Sequence, residues 1–245
     1  IAQAVSAVLV TVTLMYRTEG MKLCLSQIRM YKRMLQSILK IGLPAGFEAI
    51  MYSISNIIVQ VSINNFGVDT MAAWTAYSKI DFIFWMINSA FGISVMTFVG
   101  QNYGAGKWDR IRRGTKICLG MALISAVSVS IILMSAERFL FGIFVNDAGV
   151  VEIGIRMMNV IAPAYLLFAF IEVFSGALRA QGAVVVSTLI TMVGICVLRM
   201  IWVTLVAAHG TLEQVIICYP ITWAAGALAM SIYYIYKQRK IFQAR

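Results

Sequence analysis

Charged residues are scarce in this chain, and their scarcity excludes an ordinary soluble protein. Only 12% of the 245 residues are Asp, Glu, Lys or Arg, whereas 61% are hydrophobic. A soluble domain is about half apolar and about a quarter charged, so this composition is typical of a protein that crosses a membrane several times. The net charge of +10 therefore does not indicate a nucleic-acid-binding surface. Excess Lys and Arg in such a chain usually face anionic lipids, so we expect membrane lipids and no nucleic acid as partners.

Histidine is scarce, and closely spaced cysteine pairs are lacking. His209 is the one histidine, and no two of the four cysteines form a CxxC pair, which argues against a Cys/His zinc site. The sequence contains no HExxH or GxSxG motif and no close pair of aspartates, so it offers neither a metalloprotease centre nor a hydrolase nucleophile. We therefore expect a protein that is not an enzyme and that holds no metal and no organic cofactor.

Long apolar runs are what the chain has in abundance. A span of the hydrocarbon core, about 30 Å, takes about 20 apolar residues. Segment 1–16 would reach only about 24 Å as a helix, so we interpret it as the end of a truncated transmembrane helix. The sequence thus predicts an all-α, polytopic membrane helical bundle with six complete transmembrane helices plus the end of a seventh. The six complete segments run near residues 41–65, 73–99, 115–135, 153–178, 184–207 and 214–236.

The basic residues are unevenly divided among the connections. Sixteen Lys and Arg fall in 17–40, 100–116, 179–183 and the tail 237–245, whereas the alternate connections hold one. Positive loops stay on the cytoplasmic side, so we expect a multi-pass protein of the plasma or inner membrane whose linker and C-terminus are cytoplasmic. Residues 17–40 are expected to form an amphipathic helix on the membrane surface, a solvated linker between two membrane bundles, or both. The predicted domains are therefore 1–16, the basic linker 17–40, the bundle 41–236 and the basic tail 237–245.

A glycine-rich polar turn separates the second apolar segment from a basic run. Gly100, Gly104 and Gly106 are expected to let the backbone turn tightly there, with Lys107 and the following arginines on the inner side. Two prolines mark other helix features. Pro44 is expected to begin the first complete span, and Pro163, about ten residues into the fourth, is expected to kink or open it.

The charged residues that the bilayer makes most expensive are Glu48, Lys79, Asp81, Glu172 and Arg199. Each central charge costs about 2.5–3.5 kcal/mol on insertion scales, so such a side chain normally faces the protein interior or a wet cavity. At about 100° per residue, these charges share helix faces with other polar or small residues. Around Glu48 the neighbours are Tyr52, Ser55, Ser62 and, at the edge, Asn56; around Asp81 they are Trp85, Asn88 and Gly92.

Glu172 shares its helix face with Tyr165, Gly176 and Arg179. Two alternatives stay open: Glu172 takes part in ion coupling, or it forms a structural ion pair with Arg179, two turns away. Arg199 has no acid nearby on its own helix and must find a carboxylate or carbonyl groups elsewhere. We interpret it as a structural anchor.

Carboxylates in a wet membrane cavity favour binding of protons, Na⁺ or organic cations. Removal from water favours the protonated acid and a bound cation favours the ionised one, and this competition is a physical basis for antiport. The ion-coupling candidates are Glu172, Glu48 and Asp81. The substrate-cavity candidates are Tyr52, Ser55, Asn56, Trp85, Asn88 and Tyr165. The structural or gating candidates are Arg179, Arg199 and Pro163.

Four stretches resemble the multidrug and toxic compound extrusion (MATE) family of secondary transporters. They are residues 41–46 (IGLPAG), 98–106 (FVGQNYGAG), 175–182 (SGALRAQG) and the region around Arg199. The resemblance covers residues 41–236. It implies the C-terminal half of a twelve-helix, two-lobe transporter, in which 1–16 ends helix six, 17–40 links the lobes and the missing N-terminal lobe is a partner.

The family resemblance also implies an activity. Members are cation-coupled exporters of organic cations and other amphipathic small molecules, with H⁺ or Na⁺ as the coupling ion and no cofactor. In one branch, acids on helices seven and ten bind the cation, and Glu48 and Glu172 lie on those helices. The family's helix-seven acid falls about one turn beyond Glu48, near Tyr52. Two alternatives remain: a lipid-linked saccharide flippase of the same superfamily, and a non-transporting membrane scaffold or sensor.

Overall fold

The computed structural model describes residues 2–16, 23–24, 29–206 and 210–243. Much of the predicted linker, residues 17–22 and 25–28, lies outside the described residues, and so do the last two residues of the predicted tail. The chain divides into two compact units, residues 1–42 and 43–245. All the regular elements in the described part are helical. The first unit contains α1, in which no side chain is buried, and the start of α2.

The helices begin and end as follows. They are α1 Ala2–Tyr16, α2 Lys32–Asn64, α3 Val68–Gly104, α4 Trp108–Ser135, α5 Glu137–Phe144, α6 Ala148–Ile161, α7 Tyr165–Ala180, α8 Val184–Thr191, α9 Leu198–Leu205, α10 Leu212–Ile216 and α11 Cys218–Gln243. A 3₁₀ turn at Ala162–Ala164 joins α6 to α7, and a π-helical segment at Met192–Val197 joins α8 to α9.

Six stretches of the described chain are long and apolar enough to cross a membrane, judged by length and composition. They are Lys32–Asn64, Val68–Gly104, Trp108–Ser135, Ala148–Ala180, Val184–Leu205 and Leu212–Ile241. The predicted all-α membrane bundle with six complete spanning helices is confirmed. The helix α1 is apolar but shorter.

Two expectations about helix ends were wrong. The first span begins at Lys32, and Pro44 lies inside α2 rather than at its start. Residues 32–40 are mostly good helix formers, so the helix forms ahead of the proline although Pro44 has no N–H to donate. Gly100 and Gly104 belong to α3. Of the three glycines in this stretch, only Gly106 has a positive φ, of 67°. The tight turn is therefore confined to Ala105–Lys107, where glycine alone adopts that conformation without strain.

The break expected at Pro163 is present as the 3₁₀ turn between α6 and α7. A proline ring cannot donate the helical hydrogen bond, so the chain tightens locally and continues as α7. The π-helical segment before α9 has no proline and had no signal in the sequence analysis. Such segments change the direction in which the following side chains point, and they occur often at functional sites.

The helix α7 forms the centre of the second unit. It packs against α3, α4, α8 and α11, and its buried side chains cover all of its faces. By contrast, α4 buries only one stripe of side chains, at Ile111, Thr115, Ala122, Ala126 and Leu133. Its remaining apolar side chains, such as Ile117, Ile124 and Ile131, are exposed. These exposed residues suit contact with lipid tails, which are as apolar as the side chains themselves.

Two glycines allow α3 and α7 to approach closely. A Cβ atom on Gly176 would lie 2.8 Å from the backbone oxygen of Gly92 and 2.9 Å from Cγ1 of Val95. Real Cβ atoms do not come that close to backbone oxygen, so any larger residue at this position must push the helices apart. Small residues at helix crossings serve this purpose in membrane proteins generally.

We predict that Gly176→Ala destabilises the bundle by about 1–3 kcal/mol, the usual cost of overpacking a tight contact. The measurement is the shift in unfolding midpoint of the full-length protein in mild detergent. Gly120→Ala is the matched control, because a Cβ there meets nothing within 4 Å and alanine favours a helix by up to about 1 kcal/mol over glycine. A Gly176→Ala protein as stable as the wild type would contradict the close crossing.

Candidate functional site

An ion pair joins α2 to α7. Nη2 of Arg179 donates to both carboxylate oxygens of Glu48, each at 2.7 Å, and the hydroxyl of Thr188 in α8 donates to Oε2 of Glu48 at 3.0 Å. The side chains of Arg179 and Glu48 are 30% and 13% exposed. Glu48 therefore accepts three hydrogen bonds, two of them from a charged donor, which are the stronger kind.

The alternative in which Arg179 pairs with Glu172 is wrong for this structure. Although the two residues share a face of α7, the guanidinium turns to Glu48 on α2. Among the described residues, Glu172 forms no ion pair and accepts no hydrogen bond. Spacing along one helix could not reveal this, because Glu48 lies 131 residues away in the sequence.

Glu172 faces a small cavity that we call the acid cleft. Its volume is about 160 Å³. The acid cleft is lined by Gly92, Ile93, Met96, Glu172, Ser175, Gly176 and Arg179. A Cβ on Gly92 would lie 2.8 Å from Cδ of Glu172, so the glycine makes room for the carboxyl group. The cleft thus holds one carboxylate without a partner next to an arginine whose buried Nε has none in the described structure.

A larger cavity, which we call the aromatic cavity, lies among α2, α3, α6, α9 and α11. Its volume is about 390 Å³, within the range of small-molecule sites. It is lined by Tyr52, Asn56, Gln60, Trp74, Tyr77, Ser78, Asp81, Phe82, Trp85, Ile161, Arg199, Tyr219 and Trp223. The lining contains one acidic and one basic side chain, surrounded by aromatic rings.

Asp81 is held by a hydrogen-bond network on one wall of the aromatic cavity. The Tyr165 hydroxyl donates to Oδ1 of Asp81, and the Trp85 indole N–H donates to Oδ2. The Tyr77 hydroxyl lies 3.1 Å from that of Tyr165, and the Tyr165 ring stacks on Phe84 at 3.8 Å between centroids. Both donors fix the orientation of the Asp81 carboxyl group, which lies beside aromatic faces of the cavity.

Arg199 lies on the cavity wall formed by α9 and is only 1% exposed. Its Nη1 donates to Oδ1 of Asn56 at 3.1 Å. Its Cζ lies 4.2 Å from the ring centroid of Tyr219 and 5.8 Å from that of Tyr52, which is cation–π distance. No carboxylate in the described structure forms an ion pair with Arg199. Of the two kinds of partner expected from the sequence, a carboxylate or carbonyl groups, the structure shows a carbonyl oxygen, that of the Asn56 side chain.

The structure brings several predicted residues together and separates others. Tyr52, Asn56, Trp85, Asp81 and Arg199 all line the aromatic cavity. Ser55, Asn88 and Tyr165 are buried and do not line it. Tyr165 acts instead through its bond to Asp81, and Lys79 is exposed. Glu48 and Glu172 lie in the separate region around the acid cleft. The predicted roles of these residues stay predictions.

Sequence reasoning missed several side chains of these sites, including five that carry an aromatic ring or a hydroxyl group. Trp74 and Tyr77 precede Asp81 by seven and four residues, so the helical period already placed them on its face. Tyr219 and Trp223 come from α11, and Thr188 comes from α8. Nothing in the local pattern connects these three with Asp81, Arg199 or Glu48, because only the packing of the helices brings them close.

Comparison with known proteins gives the family. A family model described as MatE matches residues 44–205, about two thirds of the chain. The matched range contains Glu48, Asp81, Glu172, Arg179 and Arg199.

The chain belongs to the MatE family.

The resemblance to MATE transporters noted in the sequence is therefore confirmed. The probable multidrug resistance protein YoeA of Bacillus subtilis is 25% identical over 219 residues, which cover 87% of this chain and 47% of that protein. The human multidrug and toxin extrusion protein 1 is 22% identical over 158 residues, covering 62% of this chain and 28% of that protein.

Solved structures support the same fold. A crystal structure of MATE in complex with MaL6 superposes with a TM-score of 0.88 at 15% identity, covering 98% of this chain and 55% of that chain. At this identity the likeness shows the fold alone. The chain spans about half the length of YoeA and of a second probable multidrug resistance protein of Bacillus subtilis, YpnP.

The ion pair between Glu48 and Arg179 makes a testable contribution to stability. We predict that Glu48→Gln and Arg179→Gln each lower the free energy of unfolding by about 1–3 kcal/mol, because each leaves a partly buried charge without its partner. The double variant should lose less than the sum of the two. Unfolding by a denaturing detergent, applied to the full-length protein in mild detergent, measures these losses.

Arg138→Gln is the matched control for that experiment. It removes a guanidinium from a surface pair with Glu152, 3.3 Å apart and 77% and 52% exposed, which should change stability by at most about 0.5–1 kcal/mol. Strictly additive losses in the Glu48 and Arg179 double variant would show that the two side chains do not interact.

Proposed function

We propose that this chain is the C-terminal part of a secondary active efflux transporter, which exports organic cations or amphipathic drugs in exchange for H⁺ or Na⁺. Membership of the MatE family supports this proposal, as do the relatives named as multidrug resistance proteins. In the proposed protein, residues 41–236 form the C-terminal transport lobe. The linker 17–40 and the tail 237–245 lie in the cytoplasm, and an N-terminal lobe of the same protein is the partner.

The unpaired carboxylate of Glu172 is the observation that carries the proposed coupling. An acid without a partner inside an apolar bundle is expensive as a charge, so it gains by binding a proton or Na⁺. Glu48, the other acid of this region, is already occupied by Arg179 and Thr188. We therefore assign the exchangeable ion to Glu172 and a positioning role to Glu48.

Arg179 links ion binding to helix position in this proposal. Its Nη2 is bound to Glu48, and it also lines the acid cleft that holds Glu172. When Glu172 loses its ion, the new negative charge competes with Glu48 for the guanidinium. A shift of Arg179 toward Glu172 loosens the contact between α2 and α7. Arg179 can thus bind either Glu48 or Glu172. These two arrangements provide the two states that alternating access needs.

The aromatic cavity is the proposed binding site for the exported compound. Asp81 attracts a cationic group electrostatically, and the faces of Trp85 and Tyr77 suit cations and flat aromatic bodies. A lipid-linked saccharide flippase would need several basic groups to meet a pyrophosphate, and the lining of this cavity contains only Arg199. The cavity thus favours export of amphipathic cations over the flippase alternative.

We predict that Glu172→Gln leaves the full-length protein folded but lowers ion-driven export by about tenfold or more, because glutamine keeps the shape and loses the exchangeable charge. The measurement is dye export from proteoliposomes under an imposed H⁺ or Na⁺ gradient, normalised to folded protein. Asp69→Asn is the control, since Asp69 is an exposed acid in the first turn of α3. Full specific activity in Glu172→Gln would end the coupling proposal.

A further inference from the structure

The aromatic cavity contains more hydrogen-bond donors than its own walls satisfy. Nε and Nη2 of Arg199, Nε1 of Trp223 and the hydroxyl of Tyr52 are all buried and have no partner in the described structure. Arg199 and Trp223 are each 1% exposed. Buried polar groups are nearly always hydrogen-bonded, and a buried guanidinium without its partners is especially costly. Three unsatisfied side chains on one cavity indicate that an acceptor belongs there.

These donors line one cavity and are linked by contacts with aromatic rings. The ring of Tyr219 connects them, since its centroid is 4.2 Å from Cζ of Arg199 and 5.5 Å from the centroid of Trp223. Tyr52 lies on the other side of Arg199, with its ring centroid 5.8 Å from Cζ. A guanidinium, an indole N–H and a phenol O–H that line the same cavity suit an oxygen with negative charge, such as that of a carboxylate.

The acidic wall of the same cavity completes the pattern. Asp81 is bound to Trp85, and the Trp85 ring lies 6.0 Å from that of Trp223. An aromatic wall of Trp85, Trp223 and Tyr219 therefore runs from the carboxylate to the guanidinium. A ligand that matches this lining has a cationic group at one end, an anionic oxygen at the other and a flat apolar body between them.

We propose that Arg199 is a specificity-determining residue, which binds an anionic oxygen of the transported compound and selects amphipathic zwitterions over compounds that are only cationic. This inference rests on the proposed export function for its substrate, but it concerns binding at equilibrium. Asp81 holds the cationic group of either kind of compound. Arg199, with Trp223 and Tyr52, distinguishes the two by the presence of the anionic oxygen.

The test uses two rhodamine dyes that share one cationic fluorophore, one with a free benzoate and the other with the methyl ester of that group. Binding to the full-length protein in nanodiscs is measured by fluorescence polarisation, without an ion gradient. We expect the wild type to bind the carboxylate dye about tenfold or more tightly than the ester, as a charge-assisted pair requires. Equal or weaker binding of the carboxylate dye would overturn the proposal without any variant.

Variants then locate the selectivity. Arg199→Gln should remove the preference by weakening the carboxylate dye about tenfold while leaving the ester within about twofold. Asp81→Asn should weaken both dyes alike. Arg156→Gln is the matched control, because it removes a guanidinium from an exposed pair with Glu213 and should change neither dye. If Arg199→Gln does not fold, Arg199→Lys takes its place and should reduce the preference while keeping part of it.

Two outcomes would contradict the role of Arg199. Equal weakening of both dyes in the Arg199 variant would mean that the residue only anchors α9 to Asn56. A lipid phosphate is the other source of an anionic oxygen, and in that case adding phosphatidylglycerol to phosphatidylcholine nanodiscs should abolish the carboxylate preference. A preference for the carboxylate dye without export would overturn the proposed function and support the role of Arg199. Export without that preference would support the proposed function and overturn the role of Arg199.

Discussion

The cost of holding a charge among apolar helices is the constraint on which the rest of this structure depends. An ionised side chain in the membrane needs a partner, a wet cavity or a change of protonation state. Glu48 and Arg179 meet this requirement by forming an ion pair. Asp81 meets it by accepting hydrogen bonds from two uncharged donors. Glu172 and Arg199 line cavities and form no ion pair among the described residues, so they are the positions at which an ion or a ligand gains most by binding.

The seam between α3 and α7 connects the two sites. Along α7, Tyr165 bonds to Asp81, and Glu172 follows two turns later against Gly92, about 10 Å along the helix. Gly92 and Gly176 let the helices touch at that point. A displacement of one helix along the other would therefore act on the aromatic cavity and on the acid cleft together. In the proposed transporter, this contact between α3 and α7 couples binding of the ion to binding of the compound.

The sequence predicts the fold well and the sites only in part. The lengths of the apolar runs predict where the membrane spans lie, and Pro163 and Gly106 predict two of the turns. These are local properties of the sequence. The 3.6-residue period likewise places Trp85 next to Asp81. The pairing of Arg179 with Glu48 depends instead on how α2 meets α7, whereas helical spacing indicated only Glu172, two turns away on α7, as a partner for Arg179. Tyr219 and Trp223 reach the aromatic cavity only because α11 packs beside α9.

The central claim is that Glu172, and not Glu48, is the acid that exchanges its ion. A hydrophobic carbodiimide reacts with protonated carboxyl groups inside membranes, so its adducts on the full-length protein distinguish the two residues when peptides are quantified by mass spectrometry. The account predicts an adduct on Glu172 that a cationic dye suppresses, as does Na⁺ where Na⁺ is the coupling ion, and little reaction at Glu48, whose carboxylate oxygens accept hydrogen bonds from Arg179. Faster labelling of Glu48 than of Glu172 would contradict it.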